Sequence, residues 1–229
     1  MLFFSAAAPP KKLGNTGPEI SEGGAPLIDK AVVVTPFNDQ RINENSNMVG
    51  MYLIPLMPFG WQDLNTPEGV SMHVNSALWL WRPNEDIAKA TSEELNNSRI
   101  FREAFYSTRA SEGDLVLQGT IKSSKYKGKI ITYGLSVEGP ILWLIGLPAT
   151  NISNELVIAF KLEDHKNNRT LWEKEYREEI SKTSVLYYLR SDFDYPDMLK
   201  KMLLNVVRDM KAEVPSIRNR LSTSESLIE

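Results

Sequence analysis

The 229-residue chain has no cysteine and only two histidines, and these absences remove more chemistry than any motif supplies. Without cysteine there are no disulfides, thiol nucleophiles, cysteine zinc sites or iron–sulfur clusters. His73 lies in a segment with no acidic partner at ligand spacing. His165 falls in the polar stretch DHKNN, where a solvated turn residue is the expectation. A catalytic or metal-binding imidazole needs an oriented second group, which neither has in sequence. There is no G-x-S-x-G elbow and no G-x-x-x-x-G-K cradle, so neither a nucleophile elbow nor a phosphate-binding loop is expected, and no cofactor with them. The balance of 26 basic against 29 acidic residues, net −3, leaves no electrostatic footprint for nucleic acid. No apolar run approaches the ~20 residues that a membrane-spanning helix requires.

What the chain does have is two apolar loops in an otherwise charged sequence, Val49 to Trp61 (VGMYLIPLMPFGW) and Pro140 to Ala149 (PILWLIGLPA). Pro55, Pro58 and Gly60 interrupt the first and Gly146 and Pro148 the second, so neither reads as a long regular element. Leu53, Ile54, Leu56, Met57, Phe59 and Trp61, with Ile141, Leu142, Trp143, Leu144 and Ile145, are the candidate interaction residues. Large apolar groups on irregular backbone either cap the chain's own core or dock on a partner subunit, a copy of the chain or lipid.

Around these loops the pattern is that of one folded domain, with 42% hydrophobic and 24% charged residues. Residues 1–29 read as a leader remnant or a disordered linker, because MLFFSAAAPPKK has a short apolar start and PPKKLGNTGPEISEGGAP has no periodicity. A single α+β domain is expected over 30–214, followed by a polar tail over 215–229. AVVVTPF (Ala31 to Phe37) reads as a central strand ended by Pro36. Asn38 to Arg82 is a long connection holding the first apolar loop and a further cluster, ALWLW (Ala77 to Trp81). Pro83 to Asn97 predicts a helix, with Glu85 and Asp86 in its first turn and Ile87, Thr91 and Leu95 along one face.

Ile100 to Ser107 reads as a short strand. Alternation over Asp114 to Tyr126 resumes at Ile131, Tyr133, Leu135 and Val137, predicting an antiparallel hairpin turned at Lys127-Gly128. A second hairpin is expected where Leu156, Ile158, Phe160 and Leu162 meet Thr170, Trp172 and Tyr176 across DHKNN. Glu173, Glu175, Arg177 and Glu179 then share its solvated face. Pro196 to Val214 reads as an amphipathic helix with Leu199, Met202, Leu203, Val206, Met210 and Val214 on its stripe, stopped by Pro215. Tyr187, Tyr188, Phe193 and Tyr195 before it are either a recognition surface or a staple on the sheet. The fold class is α+β, a mostly antiparallel sheet with two helices on one face, in strand-helix-strands-helix order.

Several of these segments resemble a set of uncharacterised bacterial envelope lipoproteins: VVVTPFND (Val32 to Asp39), EDIAKATSEEL followed by FREAFYS, DLVLQGTIKSSKYKGKIITYGLS and NRTLWEKEY. They are also similar to the α/β module of the curli-secretion lipoprotein and to the N-terminal domain of the Tol-system periplasmic protein. The resemblance implies a periplasmic, outer-membrane-associated accessory protein that binds other proteins in assembly, secretion or transport. The chain departs from that pattern in lacking a lipobox cysteine. Two other functions fit the residues: a module binding a small apolar ligand among Trp61, Trp79, Trp81 and Trp143, and an enzyme of unrecognised type.

Overall fold

The computed structural model describes residues 25–67, 82–188 and 194–225. Within them the chain is mixed α/β, with one large, mostly antiparallel sheet and three α-helices. Strand β1 (Ile28–Val34) buries Ala31, Val32, Val33 and Val34 in succession, as the valine run requires of a strand covered on both faces. It pairs in parallel with β5 (Phe101–Tyr106) and β6 (Leu115–Ser123).

The stretch expected as one long connection contains three further strands, β2 (Asn38–Asp39), β3 (Asn45–Met48) and β4 (Phe59–Leu64). β3 is exposed throughout, so no alternation betrays it in sequence. Helix α1 (Pro83–Ser98) has the expected start at Pro83 and ends on Arg99 in the left-handed region.

The first predicted hairpin does not form. Lys127-Gly128 lies inside strand β7 (Tyr126–Ile131), and β6 and β7 do not pair with each other. Both run antiparallel to β8 (Pro148–Asp164), whose 17 residues are long enough to take β6 at one end and β7 at the other. Alternation reports which face a residue occupies and is silent on which strand lies opposite. The second hairpin is present: β8 pairs along its length with β9 (Arg169–Val185). Asp164 closes its turn by accepting from the Lys166 and Asn167 amides. Glu173, Glu175, Arg177 and Glu179 are exposed on one face of β9, and Trp172 and Tyr176 are buried on the other.

Two corrections concern helices. A third helix, α2 (Pro140–Leu144), forms inside the second apolar loop. The closing helix, α3 (Tyr195–Glu225), runs through Pro215 instead of stopping there, so 215–225 is helical and not a polar tail. Its buried stripe continues as Val206, Met210, Val214, Ile217 and Leu221, and that packing outweighs the one backbone hydrogen bond a proline removes. Arg218 donates to the Leu27 carbonyl and Arg220 to the Leu171 carbonyl, tying the last turns to β1 and β9. α1 and α3 touch each other and share one core with the sheet, where Phe37, Phe160 and Tyr176 stack edge to face.

Candidate functional site

Both apolar loops turn out to be hairpin connections. Residues 49–58 join β3 to β4, and residues 132–147 join β7 to β8. Because β4 also pairs with β7, Phe59 opposite Ile131, the two connections leave the sheet side by side at the same end. Tyr187, just past the end of β9, joins them. The first connection begins with a 3-10 turn, Val49–Leu53, folded so closely over β4 that a Cβ on Gly60 would lie 1.9 Å from the Val49 carbonyl oxygen. Only glycine permits that approach.

The segments are bound through their polar atoms. The Leu56 amide donates to the Gly134 carbonyl at 3.0 Å, and the Thr132 and Tyr133 amides both reach the Pro58 carbonyl. The Ser136 hydroxyl donates to the Leu53 carbonyl at 2.6 Å, and the Trp143 indole N–H to the Ile131 carbonyl at 2.8 Å. The hydroxyls of Tyr133 and Tyr187 donate to the carbonyls of Pro148 and Leu144. The backbone takes special conformations here: Leu56, Tyr133 and Ser136 have positive φ without being glycine, and Gly134 and Gly146 do too. Leu56, at φ 70°, occupies a region that costs a leucine roughly 1–2 kcal/mol. It is nonetheless 89% exposed.

With the polar atoms turned inward, aliphatic side chains are left outside. Leu53, Ile54, Leu56, Ile141, Leu144 and Ile145 are exposed, Ile145 to 75%. Met48, Leu135, Val137, Leu147 and Tyr187, on or beside the same connections, are exposed as well. The other five candidates, Met57, Phe59, Trp61, Leu142 and Trp143, are half-buried and form its footing. Phe59 and Trp61 pack edge to face at 6.0 Å, and the Lys129 ammonium sits 4.9 Å from the Phe59 ring centre. Leu135 and Val137, which read in sequence as part of a strand, fall on the second connection because β7 ends at Ile131, and Tyr187, read as part of a recognition surface or a staple, stands beside them.

The remaining candidates are dispersed. His165 is exposed in the β8–β9 turn, about 50 Å from the apolar end by the length of β8. Glu175 pairs with Lys122 and Glu179 with Arg177, on the open face of the sheet. His73, Trp79 and Trp81 lie outside the described residues, as do Phe193 and the rest of the ALWLW cluster. Among the described residues no group of three or more His, Asp or Glu stands close enough to hold a metal ion. No described helix is long and apolar enough to cross a membrane.

No family model and no curated protein matches the chain. Among solved structures it is similar to a PelC dodecamer from Paraburkholderia phytofirmans, with 13% identity, 82% of this chain and 92% of that chain covered, and a TM-score of 0.38. A variant of that dodecamer gives 12% identity, coverage of 81% and 88%, and a TM-score of 0.38. A Xanthomonas campestris protein of family DUF330 gives 11% identity, coverage of 86% and 91%, and a TM-score of 0.41.

Proposed function

We propose that this chain is a non-enzymatic accessory protein of the bacterial envelope that works by docking through the apolar end built by residues 48–61 and 131–148. The observation that carries the reading is the inversion of the usual surface there: polar atoms bonded inward, aliphatic groups outward. An ordinary monomer surface scatters exposed aliphatics singly, and a contiguous group of them marks a place of contact. The envelope setting is what the sequence resemblance implies. Single replacement of Leu53 or Ile145 by serine tests it. Recovery of the protein with the envelope fraction should fall while the melting temperature stays within about 2 °C of the parent, since both side chains are already exposed. Unchanged recovery in both variants would rule the docking role out.

A further inference from the structure

Resting on that reading, we infer that the surface this end docks on is the interfacial layer of a lipid bilayer. Three observations select lipid over a protein partner. The first is charge. Across residues 48–61 and 131–148 the only ionisable group charged at neutral pH is Glu138, so a docked protein would find almost nothing to pair with, whereas hydrocarbon asks for nothing.

The second is hydrogen bonding. Inserting backbone into lipid is costly wherever an N–H is left without an acceptor. Here the amides of Ile54, Leu56, Met57, Thr132, Tyr133, Leu135, Glu138, Gly139, Leu142, Gly146 and Leu147 all donate to carbonyls of the same two segments. The Ser136, Tyr133, Tyr187 and Trp143 side chains do the same. Gathering this many amide–carbonyl bonds within two irregular segments lowers the cost of moving their backbone out of water.

The third is layering along the strands. Exposed aliphatic groups sit on the two connections, and of the half-buried aromatics Phe59 and Trp61 lie behind them on β4 while Trp143 is tied back to Ile131 at the end of β7. The exposed ammonium groups of Lys129 and Lys127 follow on one face of β7, roughly 7 and 13 Å behind Ile131 at strand rise. Acyl chains, the aromatic-rich interface and anionic headgroups come in that order from the inside of a membrane outward. Glu138 keeps the insertion shallow, at a depth where its carboxylate stays hydrated.

Because the chain has no cysteine, single cysteines report on each position cleanly. Leu56→Cys, Ile145→Cys and, at the opposite pole, Lys166→Cys are each labelled with an environment-sensitive dye and mixed with phosphatidylcholine vesicles containing phosphatidylglycerol. The two labels at the apolar end should brighten and shift to the blue, and the label at 166 should not respond. In co-sedimentation with the same vesicles, unlabelled Ile145→Ser should bind about tenfold more weakly or worse, the equivalent of one buried aliphatic side chain. Glu138→Gln should bind more tightly. No response of either label, with no sedimentation of the parent chain, overturns the lipid assignment. If in that case Leu53→Ser and Ile145→Ser still lose envelope recovery, or dissociate a self-assembly seen by analytical ultracentrifugation, the docking reading survives with a protein occupant. If they do not, both fail together.

Discussion

The Ser136 hydroxyl donates to the Leu53 carbonyl oxygen at 2.6 Å, across 83 residues of chain, and it is a side-chain member of a set of bonds that tie the two apolar connections together. A neutral hydrogen bond of this kind contributes about 1 kcal/mol. Ser136→Ala should therefore lower the melting temperature by only a few degrees. Its larger effect should be local: the Leu56 amide, which crosses the same seam to Gly134, should exchange its hydrogen markedly faster, as hydrogen-exchange mass spectrometry would show. Unaltered exchange at Leu56 would mean the seam does not depend on this contact.

Leu56 combines a left-handed backbone with near-complete exposure, so its side chain is held out at a conformational cost. Asparagine tolerates the same backbone far better. Leu56→Asn is expected to match or exceed the parent in thermal stability and to dock more weakly. A clear loss of stability instead would show that Leu56 packs in a way its exposure does not reveal.

The stripe of α3 is continuous from Met198 to Leu221, and charges placed on it should act alike on both sides of Pro215. Leu203→Asp, at 5% exposure, should cost several kcal/mol. Leu221→Asp should also destabilise substantially. Calorimetry showing no effect of Leu221→Asp would mean the last turns of the helix do not contribute to the core.

Lys174 and Tyr176 of β9 both donate to the Asp209 carboxylate of α3, at 2.7 and 2.9 Å. The Lys174 bond holds the Asp209 carboxyl below its ordinary value of 3.8, with Tyr176 adding in the same direction. A depressed carboxyl contributes stability that is complete above its unfolded value and is lost as pH falls through the folded one. Desolvation, and then the bond to Asp209, raises the Tyr176 phenol above its ordinary 10.0. That contribution is complete below pH 10.0 and is lost as pH climbs through the folded value. Denaturant midpoints should thus fall at both ends. Asp209→Asn should flatten the acid limb and Tyr176→Phe the alkaline one, and limbs unchanged in these variants would contradict the linkage.

Alanine at His165, Glu173, Glu175 or Glu179 should leave cellular function intact, because all four are exposed and none converges on another site. Loss of function with the fold preserved in even one of them would point to catalysis.

The periodicities that report burial were legible in the residues themselves. The valine run of β1, the i, i+4 face of α1, the β8–β9 hairpin around DHKNN and the apolar stripe of α3 each announce a buried face, because hydrophobic side chains repeat at the spacing of the backbone that carries them. The two apolar connections were legible too, as apolar groups on backbone that proline and glycine keep irregular. What residues 48–61 and 131–148 could not show is that they meet. That follows from β4 pairing with β7, a contact between strands more than sixty residues apart. The helix through Pro215 and the division of β8 between β6 and β7 belong to the same class: local preference pointed to a stop at Pro215 and a turn at Lys127-Gly128, and burial of Ile217 and Leu221 and the length of β8 overrode it. The sequence by itself determined which side chains must leave water. Only the tertiary structure decided which of the remainder stand together outside, because strand partnership depends on contacts that no local pattern encodes.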